Sequence, residues 1–245
     1  MSEFSSVAPP PPPPPSAPAA PAGFDFVKPF TFIFQDPRWL TKILIGGLFQ
    51  IASIFLIGIF FTLGYCARLA RNVIGGVEPP APEWDDLGDN FADGLRLFGV
   101  VIVYALPLIA VACALVIPIV AAGVLSGASD TAGDLAAHFA GGFSMLIGLL
   151  MFPVGLAYSI WLPGALLMTA VERKFSAGFE FGRIWSLISN NLANYLLAFV
   201  VLLIARFGTS LGLILFCIGV FFTAFWAMTI GTYAFAQAYR LSRQR

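Results

Sequence analysis

The densest charge in the chain is a run of five carboxylates between residues 83 and 93. Helical spacing predicts that they fill one face of a helix, opposite an apolar stripe. This face is either a solvated polar surface or a contact surface for a basic partner segment or divalent cations. Most helices that lie on a membrane surface use Lys and Arg to attract anionic lipid, and anionic lipid would repel these carboxylates. This repulsion is the reason for considering the second alternative. The residues are Glu83, Asp85, Asp86, Asp89 and Asp93.

The single histidine, His138, lies near Asp130 and Asp134 in a stretch without Lys or Arg. Asp134 precedes His138 by four positions, so the pair could form part of a metal site, but two ligands do not hold zinc. The cysteines lack metal-type spacing, and we interpret them as small buried hydrophobes. We therefore predict no metal site. The cysteines are Cys66, Cys113 and Cys217.

Signs of catalysis are missing from the sequence. Catalysis inside a bilayer usually requires ionisable residues within the spans, where they are costly to place. The long apolar runs carry none. A Gly-rich phosphate loop, paired catalytic carboxylates and a nucleophile elbow are also absent. We predict that the protein is not an enzyme and has no catalytic or cofactor-binding residues and no cofactor.

The composition is that of a membrane protein. Hydrophobic residues make up 59% of the chain and charged residues 11%, against roughly 25% charged residues in soluble domains. The lipid bilayer is therefore the first expected partner. Thirteen Lys and Arg residues balance thirteen Asp and Glu residues, so nothing suggests a nucleic-acid partner.

The first 29 residues differ in composition from the rest. They include seven consecutive prolines, residues 9–15, which favour an extended and disordered polyproline II arm. This tail is either a spacer or a docking ligand, and it lacks the basic and apolar regions of a signal peptide. We predict a disordered proline-rich tail over residues 1–29 and a single integral membrane domain over residues 30–245.

A helix start signal precedes the first long apolar run. Asp36 can cap free amides, and Pro37 is tolerated in a first helical turn. The helix is predicted to place Arg38, Trp39 and Lys42 at headgroup level and then to cross in one span. Charge-free runs are candidate spans, because about 20 apolar residues cross the hydrocarbon layer. There are five, covering residues 43–65, 97–125, 142–170, 193–205 and 208–232.

Two stretches between these runs have apolar residues every three or four positions, which places them on one helix face. We predict an all-α polytopic transmembrane bundle of about five spans with two interfacial amphipathic helices. The second stripe follows the first at a constant offset of 97 residues, which also separates Gly155 from Gly58. This indicates a possible internal duplication, with chance matching as the alternative. The stripes are Trp84, Leu87, Phe91, Leu95 and Phe98, then Phe181, Ile184, Ile188, Leu192 and Tyr195.

Counting Lys and Arg on alternate sides of five spans predicts the orientation. Nine fall on the C-terminal side, which predicts a cytoplasmic C-terminus and cytoplasmic interfacial helices in a prokaryotic plasma membrane. Residues 126–141 are then an external loop. If the first run is re-entrant instead, the N-terminal tail is cytoplasmic. The four on the other side are Lys28, Arg38, Lys42 and Arg206, and we expect Arg206 to lie at an interface.

Small residues recur at four-residue steps towards the C-terminus. Such spacing lets another helix approach closely. The approaching helix belongs either to the same chain or, if the chain forms a homo-oligomer, to a second copy. The residues are Gly208, Gly212, Gly219, Thr223, Ala227 and Gly231.

Three segments resemble a family of bacterial and archaeal integral membrane proteins known as domain of unknown function 4013. They read FQDPRWLTKILIGG, GYCARLARNVIGG and PEWDDLGDNFADGL. The most specific pieces are Asp36-Pro37 with Trp39, Gly46-Gly47, Gly64-Tyr65 with Arg68, and Pro82 with Trp84, Asp85 and Asp86. The resemblance runs from about Phe30 to about Tyr239. It implies a polytopic helical fold and no activity, cofactor or catalytic residue.

The sequence favours a non-enzymatic membrane protein that scaffolds or assists other membrane components. Its partners would then be the bilayer and a second copy or another membrane protein. The alternative is a small transporter or channel for a neutral or apolar solute, since transport folds often contain duplicated units.

Overall fold

The computed structural model describes residues 23–126, 130–212 and 218–244, and this part of the chain is helical without strands. Short 3₁₀ segments cover Phe32–Gln35, Ser53–Phe55 and Phe175–Phe179. The α-helices are α1 (Lys28–Thr31), α2 (Trp39–Ala52), α3 (Ile57–Gly75), α4 (Leu87–Ser126), α5 (Asp130–Glu172), α6 (Phe181–Asn190), α7 (Leu192–Leu211) and α8 (Gly219–Ser242).

Five of these helices contain a segment long and apolar enough to cross a membrane, which agrees with the predicted number. The all-α class is confirmed, but several bounds differ. Residues 130–141 belong to α5 and not to the predicted loop. The segments are Ile57–Gly75, Leu87–Ala114, Met151–Glu172, Leu192–Ser210 and Gly219–Ser242.

The prediction of one span over residues 43–65 is wrong, because the chain turns back at Leu56. This residue has a φ of 65°, in the left-handed region, and separates α2 from α3. The two helices form a hairpin, since Lys42 of α2 and Arg68 of α3 both reach Glu83. At the turn, a Cβ on Gly58 would lie 1.8 Å from the carbonyl oxygen of Phe49. Both arms are apolar, so the run shows no break in composition.

The turn brings the start of the membrane domain to the same end of the bundle as its C-terminus. Lys28 lies 2.6 Å from Glu78, in the connection that follows α3. The ring of Phe32 stacks on Tyr233 of α8 with centroids 4.7 Å apart. Lys28, Arg38 and Lys42 therefore lie at the end that holds Arg68, which corrects the prediction that places them on opposite sides.

Only one of the two predicted amphipathic helices is a separate helix in the structure. The second is a separate helix, α6, which packs Ile184 and Ile188 into the core. The first is not separate, because residues 87–98 are the beginning of the 40-residue helix α4. Its buried face carries Asn90 and Asp93, while Phe91 on the apolar stripe is exposed. Of the predicted polar face, Asp93 is therefore buried beside α3, whereas Asp85, Asp86 and Asp89 are exposed.

Positions that the predicted duplication pairs with each other have different surroundings in the structure. Gly58 packs against the Phe49 carbonyl, whereas a Cβ on Gly155 would meet nothing within 4 Å. The first stripe continues through one helix, but Asn191 separates α6 from α7 inside the second. Duplication stays a prediction.

The bundle packs tightly at one end and becomes open along α4 and α5. Its core holds fully buried side chains from the 3₁₀ segment before α2 and from α3, α4, α6, α7 and α8, including Phe32, Leu69, Val100, Ile184, Val201 and Ile230. We call residues 106–126 of α4 with residues 130–156 of α5 the α4–α5 extension. Apolar side chains of this extension such as Val124, Met145 and Phe152 are exposed. The α4–α5 extension therefore presents an exposed apolar surface.

Candidate functional site

Two regions of the bundle could carry function, a network of ion pairs at one end and an apolar cavity between the helices. The network begins where α2 starts. The Lys42 ammonium contacts the Asp36 carboxylate and lies 2.7 Å from Oε1 of Glu83. It also donates a hydrogen bond to the Ala81 carbonyl at 2.8 Å. Lys42 is only 2% exposed, so its ammonium is held by the protein itself, and its placement at headgroup level stays a prediction.

Asp36 holds two groups together at the start of α2. Its carboxylate accepts a hydrogen bond from the Arg38 amide at 2.8 Å as well as one from Lys42. The predicted capping role is wrong, because α2 begins at Trp39 with Arg38 as its N-cap residue and no side chain caps it. Asp36 instead holds the turn that precedes the helix. Burial alone would raise the pKa of Asp36, but these hydrogen bonds and nearby charges hold it below its ordinary value.

A second group of charges surrounds Asp93 of α4, which is 3% exposed. Arg71 of α3 lies 2.5 Å from one carboxylate oxygen, and Arg96 lies 2.7 Å from the other. Arg173, just after α5, approaches to 3.5 Å. Arg71 also donates to the Ala170 carbonyl of α5 at 2.9 Å. One buried carboxylate thus ties α3, α4 and the end of α5 together.

The remaining members of the acidic run lie nearby. Asp85 is 3.4 Å from Arg68, and Asp89 is 3.3 Å from Arg173. Asp86 accepts a hydrogen bond from the Asp89 amide at 3.1 Å. Four of the five carboxylates therefore have a cation of the same chain within 4 Å. Contact of this run with a basic partner or a divalent cation stays a prediction. We call these two ion-pair groups, with Arg68 and its partners, the charged end.

Glycines not singled out by the sequence analysis as packing sites allow the charged end to assemble. A Cβ on Gly64 of α3 would lie 1.8 Å from the Asn90 carbonyl oxygen, and one on Gly94 of α4 would lie 1.7 Å from that of Phe60. The backbones of α3 and α4 therefore touch at this crossing. The two glycines lie on different helices, so no four-residue spacing in the sequence marks them as partners.

The predicted small-residue stripe lies mainly between α7 and α8. A Cβ on Gly212 would meet Oγ1 of Thr223 at 2.2 Å, and one on Gly231 would meet Leu202 at 2.6 Å. Gly219 supplies a carbonyl to Thr223, and Ala227 is buried. Gly208, in contrast, faces open space. Self-association through this stripe stays a prediction.

The structure describes two of the three cysteines and the single histidine singled out by the sequence analysis. His138 is exposed on α5, and no group of three potential ligands is found within the described ranges. Cys66 is buried and Cys113 is exposed. Cys217 lies outside the described residues.

The second region is a half-open apolar cavity of about 660 Å³ lined by α3, α4, α5, α7 and α8. This volume falls within the range of small-molecule sites, about 300–1,000 Å³. Along α5 its wall runs from Leu156 to Ala170, on the order of 20 Å at the helical rise per residue. The wall is built largely from apolar side chains, among them Leu63, Ala67, Leu97, Leu166, Leu202 and Met228. No sequence signal identified this space.

A few polar groups line the cavity, namely Cys66, Tyr158, Ser159, Thr232 and Arg206. Arg206 of α7 is exposed and precedes the end of its helix by about one and a half turns. It makes no ion pair with the described part of the chain. An unpaired Arg in hydrocarbon costs about 3 kcal/mol on insertion scales. Its placement at an interface stays a prediction.

Comparison with known proteins identifies the family but no function. A family model described as Protein of unknown function (DUF4013) matches residues 45–218. The match covers most of the chain, including the α3–α4 crossing and the greater part of the cavity wall. No curated protein and no solved structure matches significantly. The chain belongs to the family of proteins of unknown function DUF4013.

Proposed function

We propose that this protein is a non-enzymatic membrane protein that holds an apolar molecule from the bilayer in the cavity and thereby assists other membrane components. The observation that carries the proposal is the cavity itself, about 660 Å³ of space walled by five helices. Lipid tails are as apolar as the wall, so apolarity alone gives no preference for entry. Selectivity must come from the shape of the cavity and from its few polar groups.

The separation of the charges from the cavity supports a role in binding and not in catalysis. Asp36, Glu83 and Asp93 are engaged with cations of the same chain. None of the three lines the cavity. A general acid or base must lie within hydrogen-bond reach of the reacting group. These carboxylates are therefore better suited to holding the helices together.

Transport of an apolar solute would use the same cavity and remains the closest rival. The residues that line the cavity include few polar groups, which favours apolar over hydrated solutes. Flux of a hydrophobic dye across reconstituted vesicles tests this rival. Binding without flux supports the accessory role, and sustained flux contradicts it.

We place the charged end in the cytoplasm of a prokaryotic cell, with the protein in the plasma membrane. Lys28, Arg38 and Lys42 lie with Arg68 and Arg71 at this end, which strengthens the asymmetry of positive charge. Cytoplasmic ends of membrane proteins carry an excess of Lys and Arg. The start of the membrane domain and the C-terminus would then both be cytoplasmic. Cysteine accessibility at residues 23 and 244, measured in intact cells, tests the orientation.

Blocking the cavity tests the proposed function. Ser159 lines the cavity, so Ser159→Phe places a ring where the ligand would lie. We expect the purified variant to retain far less lipid than the wild type, as measured by mass spectrometry after extraction in mild detergent. Ser210→Phe is the matched control, because Ser210 is exposed on α7 and does not line the cavity. Equal retention by both variants would refute the proposal.

Scaffolding is a second candidate because of the α4–α5 extension. Its exposed apolar side chains, such as Met145 and Leu149, could bind a second copy or another membrane protein. A photocrosslinking residue at position 145 should then yield a specific protein adduct. The same probe at Phe207, which is equally exposed on α7, serves as the control. Identical adducts at both positions would speak against a specific scaffold surface.

A further inference from the structure

The positive charge of Arg206 indicates which class of molecule the cavity would bind. Arg206 is the only charged residue among those that line it. Because the ion pairs of the described chain do not include Arg206, its guanidinium is available to an external anion. An apolar chamber beside one free cation is complementary to a molecule with a hydrocarbon chain and an anionic group.

The position of Arg206 along the cavity agrees with this arrangement. The Tyr195 hydroxyl of α7 donates to the Ile160 carbonyl of α5 at 2.7 Å. Arg183 of α6 contacts the end of α5, and α7 begins directly after α6. The helices α5 and α7 therefore run antiparallel. Going from Tyr195 to Arg206 therefore leads back along α5 towards Leu156. The cation lies near that end of the cavity, while the rest of the wall is left for a hydrocarbon chain.

The cavity is open to the bilayer between α5 and α7. Leu156 and Leu203 both line it and are both exposed. A lipid could therefore enter sideways, leaving a second acyl chain outside among the bulk lipid. Tyr158 lines the same cavity and carries a hydroxyl donor. Arginine binds phosphate with two parallel hydrogen bonds, which adds orientation to charge.

We propose that the cavity binds an anionic phospholipid of the bilayer, with its phosphate on Arg206 and one acyl chain along α3, α5 and α8. This inference rests on the proposed function, because it assumes that the cavity holds a molecule from the membrane. It adds that the headgroup is selected by charge. An uncharged lipid of equal chain length then binds more weakly.

Lipid competition tests the inference. The full-length protein is exchanged into mixed micelles that contain phosphatidylglycerol and diacylglycerol with identical acyl chains, the second of which has neither phosphate nor charge, and the retained lipids are counted by native mass spectrometry. We expect the wild type to prefer phosphatidylglycerol by about tenfold, the scale of a charge-assisted hydrogen bond. Arg206→Gln should lose the preference while retaining lipid, and Arg206→Lys should keep part of it. Arg243→Gln, the same change at the exposed C-terminal end, should keep all of it.

The outcomes separate the inference from the proposed function. No preference in the wild type, or a full preference in Arg206→Gln, overturns the phospholipid assignment alone. Displacement of phosphatidylglycerol by equimolar palmitate also overturns it, in favour of a free fatty acid. Unchanged lipid retention in Ser159→Phe overturns the cavity as the binding place and the proposed function with it. Elution volume and thermal unfolding of each variant establish that it is folded, and Arg206→Lys serves if Arg206→Gln is not.

Discussion

The charged end and the cavity share helices α3, α4 and α5 but are built in opposite ways. At the charged end, Asp36 and Asp93 are buried against cations, and α3 and α4 touch through Gly64 and Gly94. Around the cavity the helices stand apart, and Arg206 has no ionic partner in the described chain. One end therefore holds the helices in contact, and under the proposed function the open middle is where a ligand binds.

The close approach of the helices at the charged end has a physical consequence for the cavity. Helix association in a membrane depends on packing and hydrogen bonds, because lipid competes for apolar contact. Buried ion pairs add little net stability, but removing one partner leaves an expensive unpaired charge. The network therefore makes one arrangement of α2, α3, α4 and α5 strongly preferred over others. An open cavity needs such a support, since it contributes little packing of its own.

The largest expected effect comes from forcing α3 and α4 apart. In Gly94→Leu the new Cβ would lie 1.7 Å from the Phe60 carbonyl oxygen, a clash that only backbone movement relieves. We expect a loss of about 3 kcal/mol or more, seen as aggregation or a much lower midpoint of thermal unfolding in detergent. Gly208→Leu is the control, because Gly208 meets nothing within 4 Å. Equal stability of the two variants would contradict the crossing.

The next effect comes from removing the buried cation. Lys42→Met leaves the Asp36 carboxylate buried without its strongest partner. Removing one member of a buried ion pair typically lowers the free energy of unfolding by about 3–5 kcal/mol. We expect about 3 kcal/mol here, because Glu83, the other carboxylate beside Lys42, is partly exposed. Arg240→Met changes an exposed residue near the same end and should have little effect. Combining Lys42→Met with Asp36→Asn should recover part of the loss, because no unpaired charge then remains. Additive losses in the double variant would argue against the pair.

Acid should lower the stability of the charged end by protonating Asp36. Its pKa is lower in the folded protein than in the unfolded chain, so the stabilisation is complete above the ordinary Asp value of about 3.9 and is lost as the pH falls through the folded value. The thermal midpoint of the wild type should therefore approach that of Asp36→Asn below about pH 4. A constant difference between the two proteins from pH 7 to pH 3 would exclude this role.

Much of the fold follows from the sequence, because apolar length and helical spacing are local properties. They identify the last four of the five spanning segments and the amphipathic helix α6. The turn at Leu56 escapes them, since a non-glycine residue in the left-handed region has no reliable local signal. That single turn decides which side Lys42 lies on. Arg71 meets Asp93 through the crossing of α3 and α4, which has no local signal either, so the partners of the acidic run could not be inferred.

The candidate site is harder to predict for a related reason. A cavity is a space between helices and depends on their separation, which no residue type encodes. Tyr158 and Arg206 are 48 positions apart in the sequence and line one cavity only because the fold places α5 and α7 around the same space. The sequence does indicate that Arg206 is unusual, because it is a cation between two apolar runs. It does not indicate what the cation faces.

The smallest expected effect concerns an ion pair at the surface of the charged end. Arg183 contacts Glu172 and lies 2.7 Å from Glu180, and these hydrogen bonds raise its pKa. Its side chain is half exposed, so water and salt screen the attraction, and Arg183→Gln should cost about 0.5 kcal/mol. Thermal unfolding at low and high salt measures this, with the difference from wild type shrinking as salt rises. A loss as large as that of Lys42→Met would mean that burial does not set the strength of these pairs, and the contrast between the supporting end and the open cavity would lose its basis.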